Sequence, residues 1–504
     1  MYHVLFYWCT QHTLSYDLCA AWYNTVMSSI PLDLTLESTY ARLPEPFYRR
    51  VRPQEHPLQP PFYFNAALAA ECGLKLDPKD ASTQAFLSGQ NPELQPLAMA
   101  YAGHQYAHFT LLGDGRAVLL GELTTPSGAR VDLHLKGSGP TPYARGGDGQ
   151  ATLEAMLKEV IIGEALHGLG IPSSRILAIN NTGKTVQREK NHRGASALRV
   201  AASHLRVGTF ELAQAHPDPS LLPALYDYTK NRHDPDASDV MTWLKRVIVR
   251  QAHTVALWQL SGFVHGVMNT DNAFISGETC DFGPCAFLDA YRPQQTFSSI
   301  DLKGRYAYDQ QPYIASWNMA RLALSVLPLL DENKAIASQK AQEALALFGP
   351  SFEYHYYTGL AKKLGFKEAL SEDRIHYERW LALLAQHERD FTLSFLDLTD
   401  ERFNDPFYQR ADVAQWLKWR QTRLKELSIV PEDRQARMRQ HNPALIARNI
   451  EVKRRIEQAA EGDFKPFNDY LALLQIPFEH SPQQQAFAAP PQDNPRRFVT
   501  TCGT

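Results

Sequence analysis

Residues 131–136 read Val-Asp-Leu-His-Leu-Lys, a strict alternation of apolar and polar positions. That period predicts a strand with Val131, Leu133 and Leu135 on one side and Asp132, His134 and Lys136 on the other. Shorter runs at 117–120 and 195–200 predict further strands. Leu153, Met156, Leu157, Val160 and Ile161 recur at helical spacing, which predicts a helix over 152–167. Gly168, Gly170 and Pro172 stop it. From about residue 240 the helical period dominates, with helices expected near 240–262, 316–330, 333–348, 374–390, 411–427 and 444–460. Residues 30–100 are rich in proline and aromatics and predict a packed, irregular lead-in. The Pro- and Gln-rich sequence after Pro477 predicts an extended, partly mobile tail. No internal repeat is evident.

A strand-rich, glycine-rich half followed by a helical half predicts an α+β protein of two lobes with a cleft between them. The expected segments are an extension over 1–26, a strand-rich lobe over 27–200, a helical lobe over 201–476 and a tail over 477–504. The length of 504 residues suits that division. With 51 basic against 54 acidic residues the net charge is −3, which argues against a nucleic-acid or anionic-membrane partner. No run of 18 apolar residues predicts a membrane span. Six cysteines are too few for a disulfide scaffold. The first 26 residues lack a basic n-region and a clean cleavage site, so they do not read as a signal peptide. A cytoplasmic monomer is the expectation.

The chemistry begins with Asp281-Phe282-Gly283, a weak signal alone. Upstream, His265 and Asn272 are seven residues apart, as in the kinase catalytic loop H-R-D-L-x-x-x-N. An amide oxygen at Asn272 and a carboxylate at Asp281 are hard donors suited to Mg²⁺ or Mn²⁺. One position departs from the pattern. The kinase carboxylate two residues after the histidine is replaced by Val267, which cannot accept a proton. Asp271 is the nearest carboxylate that could substitute, with a metal-shell or loop-capping role as the alternative.

Lys136 ends a strand on its polar face, where a kinase holds nucleotide phosphates with a lysine oriented by a helix glutamate. Glu159 is the leading partner, with Glu164 and Glu154 as competitors. Gly113-Asp114-Gly115-Arg116 resembles half of a nucleotide loop, and a hairpin turn is the other reading. The glycines between 137 and 149 could cradle phosphate on backbone N–H groups, with Asp148 holding a cation or orienting a basic side chain. Arg199 and Arg206 could fork onto phosphate near the junction of the lobes, or form a surface pair. Gly183-Lys184-Thr185 imitates the end of a Walker A motif, but Ala178 stands where its first glycine belongs. There is no G-x-S-x-G, H-E-x-x-H or C-x-x-C.

Read together, several blocks resemble the selenoprotein O family, also called YdiU. They are Tyr101-Ala-Gly-His-Gln105, Leu112-Gly-Asp-Gly-Arg-Ala117, Leu135-Lys-Gly-Ser-Gly-Pro-Thr-Pro-Tyr143, Gly147-Asp-Gly149, His265–Asn272 and Asp281-Phe-Gly-Pro284. Gly304-Arg-Tyr306 and Gln311-Pro-Tyr-Ile-Ala-Ser-Trp-Asn318 fit as well, so the resemblance runs from about residue 30 to the C-terminus. Tyr106-Ala107 departs from the family's Phe-Gly.

The resemblance implies a protein kinase-like two-lobed pseudokinase fold and transfer of AMP from ATP to Ser, Thr or Tyr hydroxyls of proteins. ATP would be bound flipped, with the γ-phosphate buried. Lys136, Asp148, Gly149, Arg199 and Arg206 would contact phosphates, and Glu159 would pair Lys136. Gly113, Gly115 and Arg116 would complete the nucleotide site, Asn272 and Asp281 would hold Mg²⁺ or Mn²⁺, and Asp271 would accept the proton. UMP transfer is compatible with the same residues. Cys502 fits the family's C-terminal cysteine, and Cys285 is the nearest candidate for a pairing that gives redox control in some members. The competing readings are an ordinary phosphotransferase and a non-catalytic ATP-binding scaffold.

Overall fold

The computed structural model describes residues 36–490, 498 and 500. The expected extension over 1–26 and Cys502 lie outside the described residues. The alternating segment forms a strand inside a nine-stranded antiparallel sheet. Its strands are β1 (Tyr48–Arg50), β2 (Tyr63–Phe64), β3 (Leu97–Gln105), β4 (His108–Gly113), β5 (Ala117–Thr124), β6 (Arg130–Lys136), β7 (Ala151–Thr152), β8 (Arg175–Gln187) and β9 (Asn191–Ala201). Their order is β1-β3-β5-β6-β9-β8-β2, with β4 on β3 and β7 on β9.

The two faces of β6 go to different environments. Leu133 and Leu135 join Leu198, Leu68 and Phe86 in a core beneath two short helices, 66–71 and 81–87. On the opposite face, Asp132 and His134 are buried as well. The polar half of the alternation therefore faces an interior polar network instead of solvent. The β6–β9 register sets His134 beside Arg199 and Lys136 beside Ala197. Lys136 and Arg199 thus project from one face at diagonal positions.

Helix α1 (Leu153–Gly168) covers that face. The Thr152 hydroxyl accepts from the Ala155 N–H and caps it at 3.2 Å. Leu157, Val160 and Ile161 pack with Ile179 and Ala197 of the sheet. Glu159 and Glu164 on this helix are buried too. A helix with an apolar stripe is covered over most of its surface, so its buried acids, Glu159 and Glu164, must be paired.

Past Ala201 the regular elements among the described residues are helices apart from the short pair β10 (Phe263–Val264) and β11 (Ala286–Phe287), with a largely irregular stretch over 265–310. These helices include α2 (Val207–Ala215), α3 (Val240–Ser261), α4 (Gln311–Ser325), α5 (Phe348–Lys363), α6 (Arg374–Gln386), α7 (Ala411–Glu426) and α8 (Asn449–Glu461). The helix expected over 316–330 stops at Ser325 and restarts as Leu327–Leu330, where Pro328 sits in a first turn. Proline has no N–H to continue the ladder. α5 was hidden by Gly349 and Pro350, which also occupy a first turn. The tail differs from its expectation over 478–490. Ser481 and Gln484 form a capping box on helix Pro482–Gln485, and Gln484 is buried with its amide donating to the carbonyls of Leu473 and Ile476.

Candidate active site

Lys136, Arg199, Glu159 and Asp281 form one alternating cluster of charge. Lys136 Nζ donates to Glu159 Oε1 at 2.9 Å and to Asp281 Oδ1 at 2.6 Å. Arg199 Nη2 donates to Glu159 Oε2 and to Asp281 Oδ1, both at 3.1 Å. Among the three glutamates of α1, Glu159 takes Lys136, while Glu164 is forked by Arg175 at 2.7 and 2.9 Å and Glu154 meets His192 at 2.7 Å. Burial alone raises the Asp281 carboxyl, but Lys136, Arg199 and Arg206 outweigh it and hold the group well below the usual carboxylate range. Glu159 is lowered in the same way, its burial outweighed by Lys136 and Arg199. The backbone of Asp281 takes the left-handed region at φ 58°. Aspartate tolerates that conformation better than most residues, yet it remains strained, as functional positions often are.

This cluster opens onto a cavity of about 620 Å³. Gly113, Gly115, Arg116, Lys136, Asp148, Gly149, Arg199, Arg206 and Asp281 all line it. The turn between β4 and β5 supplies the first three, and the loop after β6 supplies Asp148 and Gly149. Gly149 has φ 67°, and a Cβ there would sit 2.1 Å from the Gly139 carbonyl carbon. The loop therefore closes on itself in a way only glycine permits. Asp148 lies at the rim, where Arg188 forks its carboxylate at 2.8 and 3.1 Å.

At the inner end stand Arg199 and Arg206, both almost inaccessible to solvent. Arg206 is the N-cap residue of α2, and its Nη1 donates to the Asp271 carbonyl at 2.9 Å. Its guanidinium lies 4.1 Å from the Tyr101 ring centroid. The Nε of each arginine is buried without an acceptor. Buried donors of that kind leave capacity for an incoming anion.

Asp114 and His134 line the same cavity and were not singled out in the sequence. His134 Nε2 and Asp114 Oδ2 share a 2.9 Å hydrogen bond, and Asp114 Oδ1 lies 3.6 Å from Arg206. Burial raises the Asp114 carboxyl, but His134 and Arg206 bring it below its ordinary value. His204 stacks on His134 at 4.1 Å. The available signal was the polar face of β6, which carries His134 between Asp132 and Lys136. Arg188, also missed, sits in a charged hairpin turn that gave no such signal.

Asn272 and Asp271 lie in a 3₁₀ turn, Thr270–Asn272, and do not line the cavity wall. The segment 265–272 is tied to Cys280, the residue before Asp281. The Cys280 carbonyl is 2.9 Å from His265 Nε2, and the Cys280 thiol donates to the Asn272 carbonyl at 3.6 Å. The Asn272 amide donates to the Val267 carbonyl at 3.1 Å, which leaves its side-chain oxygen without a donor among the described residues. Asp281 Oδ2 is likewise unengaged, since both its cations hold Oδ1. Among the described residues there is no cluster of three or more His, Cys, Asp or Glu for a protein-only metal cage. An amide oxygen and a carboxylate oxygen left free are the hard donors that suit a divalent ion. Asp271 is buried, with Oδ1 unpartnered. Burial, opposed by Arg206 and assisted by Asp281, pushes its carboxyl up to about 6.

Cys285 is buried, and its thiol donates to the Phe282 carbonyl at 3.1 Å. Nearby, the Thr500 hydroxyl donates to the Pro284 carbonyl at 2.7 Å.

Set beside known proteins, a chain with this sheet and this cationic cavity falls among the protein nucleotidyltransferases. Protein nucleotidyltransferase YdiU of Geobacillus kaustophilus (strain HTA426) is 46% identical over 479 residues, covering 93% of this chain and 99% of that protein. Proteins of the same description from Bacillus cytotoxicus and Brevibacillus brevis are each 45% identical, covering 93% of this chain and 97% of their own length. The family described as "Protein adenylyltransferase SelO" matches residues 31–475, and the chain belongs to that family.

Proposed function

We propose that this chain transfers AMP from ATP to Ser, Thr or Tyr hydroxyls of other proteins, on a kinase-like two-lobed scaffold with ATP bound flipped. The observation that carries this reading is the placement of Arg199 and Arg206, buried cations at the inner end of the cavity with unpaired Nε donors. A triphosphate whose far end enters such a pocket meets the charge it needs, and its α-phosphorus is left toward the mouth. Lys136, held by Glu159, and the N–H groups around Gly113, Gly115, Arg116 and Gly149 line its path. Asp148 fixes Arg188 at the rim.

The acceptor hydroxyl attacks the α-phosphorus in line, the bond to the bridging oxygen of the β-phosphate breaks, and pyrophosphate leaves. Asp271 takes the hydroxyl proton. With its carboxyl near 6 it is mostly ionised at pH 7, yet basic enough to share a proton in the transition state. Asn272 and Asp281 would hold Mg²⁺ or Mn²⁺, which supplies charge neutralisation along the phosphates. Val267 removes the carboxylate on which an ordinary kinase relies, and this disfavours γ-phosphoryl transfer.

Intact-mass analysis of an acceptor protein incubated with the enzyme, ATP and Mg²⁺ or Mn²⁺ tests the proposal. A mass increment of one AMP is expected. An increment of one phosphate, or none with either metal, contradicts it.

A further inference from the structure

Two sequence blocks, 304–306 and 311–318, have no part in the nucleotide site, yet they converge on the catalytic loop. Tyr306 donates its hydroxyl to Asn269 Oδ1 at 2.5 Å, and Asn318 donates its amide to the Met268 carbonyl at 3.1 Å. Asn269 and Met268 stand two and three residues before Asp271. The residues next to these two anchors, Arg305 and Trp317, meet each other. The Arg305 guanidinium carbon is 5.0 Å from the Trp317 ring centroid, and that of Arg321, one turn further along α4, is 5.4 Å away. His104 closes the group, with its ring 5.5 Å from Trp317 and its backbone N–H donating to Thr270 Oγ1 at 2.7 Å.

Two guanidiniums around one indole repel each other, and folded proteins normally place a carboxylate between such groups. Two carboxylates of this neighbourhood are engaged elsewhere: Asp301 accepts from the backbone N–H groups of Arg305 and Tyr306 at 2.9 and 2.8 Å, and Glu211 meets His104 Nδ1 at 2.5 Å. Neither side chain has an ion pair, and the Nε of each is buried without an acceptor. Both guanidiniums are partly exposed and can meet a carboxylate from outside the chain. Tyr313 and Leu302 nearby are strongly exposed, and Phe109, whose ring lies 5.5 Å from His104, is half exposed. Cations held on an aromatic plate, bordered by solvent-facing apolar side chains, suit a polypeptide better than a free ion.

We infer that Arg305, Trp317 and Arg321 form an acceptor-side subsite that binds an acidic side chain of the protein substrate, close in sequence to the modified hydroxyl and flanked by apolar residues. The inference rests on the proposed transfer to protein hydroxyls. The carboxylate would fork onto the two guanidiniums and present the neighbouring hydroxyl toward Asp271. Arg305 and Arg321 are positioning residues in this scheme and touch neither ATP nor the reacting atoms.

The test uses two fluorescein-labelled peptides that share one Tyr acceptor and apolar flanks, one carrying Glu residues beside the acceptor and the other Lys. Anisotropy titrations with wild-type protein should show the Glu peptide binding at least about tenfold more tightly, the scale of one charge-assisted fork. Arg305→Gln and Arg321→Gln should each erode that preference and together abolish it, and Arg321→Lys should retain part. Affinity for a non-hydrolysable ATP analogue should stay unchanged in all variants, which also reports that they are folded. Equal binding of both peptides by wild type, or an undiminished preference in the double variant, overturns the inference. A single-stranded oligonucleotide that displaces the Glu peptide at equal charge concentration also overturns it, because the subsite would then be a general polyanion site. Label transfer from α-labelled ATP to the Glu peptide is measured in parallel. Tight binding without transfer defeats the transfer reading while leaving the acid-binding subsite standing.

Discussion

Replacing Glu159 by Gln removes one charge from the centre of the Lys136–Glu159–Arg199–Asp281 cluster and keeps the side chain's shape. Lys136 and Arg199 then depend on Asp281 alone, at 2.6 and 3.1 Å. Leaving a buried charge without its partner costs about 3–5 kcal/mol. Because Asp281 still faces both cations, the lower figure applies, and unfolding stability should fall by about 3 kcal/mol. Glu164→Gln is the matched control. It lies on the same helix, is equally buried, and forks Arg175, which likewise keeps a second carboxylate, Glu71, at 2.7 Å. It should lose a similar amount of stability. The two variants should part in nucleotide binding, because Lys136 and Arg199 line the cavity and Arg175 does not. Urea unfolding followed by tryptophan fluorescence gives the first quantity, and calorimetric titration with an ATP analogue and Mg²⁺ gives the second. Glu159→Gln should weaken analogue binding by about tenfold or more, the effect of losing one properly placed charged donor, and Glu164→Gln should leave it unchanged. Equal nucleotide affinity in the two variants, or a Glu159→Gln protein within about 0.5 kcal/mol of wild type, would refute the reasoning.

Three further outcomes are expected. Asp281→Ala should abolish metal-dependent transfer in a protein whose circular dichroism is unchanged; full activity would remove Asp281 from the metal site. Gly149→Ala should cost more than about 2 kcal/mol, since its φ is left-handed and its new Cβ would strike the Gly139 backbone; a stability equal to wild type would show that the loop relaxes freely. Lys363 is buried beside Phe395, and burial lowers its ammonium to about 7. The unfolded chain therefore binds one more proton than the folded protein between about pH 7 and 10.5, so this group makes stability rise with pH by ~1.4 kcal/mol per unit across that window. Lys363→Met should stabilise the protein at pH 7 and flatten that rise, as followed by urea midpoints at several pH values; an unchanged slope would place the lysine in water.

The strand and helix that carry the phosphate-binding candidates were legible because each has one dominant period. The alternation over 131–136 became β6, and the stripe over 152–167 became α1. Spacing put Glu159 ahead of Glu154 and Glu164 without excluding them, since all three share the helix and only the sheet beneath decides which one meets Lys136. Alternation also left open what the polar face of the strand meets. Asp132 and His134 look like a solvent face in sequence, but they are buried against His204 and Arg232. β3 escaped notice because most of it is buried on both faces and alternates little. α5 escaped because Gly349 and Pro350 look like a loop until they are seen to occupy a first turn. Arg305 and Trp317 were visible as parts of sequence blocks, but their meeting depends on how 304–306 and α4 fold against the catalytic loop.

The measurement that tests the central claim most directly incubates the protein with ATP labelled at either the α- or the γ-phosphate, with Mg²⁺ and then Mn²⁺, and scores label on protein together with released pyrophosphate. Buried Arg199 and Arg206 receiving the far end of ATP predict label from the α position alone, with pyrophosphate formed in equal amount. Label from the γ position alone would mean that ATP enters in the ordinary kinase orientation and that another group replaces the carboxylate missing at Val267.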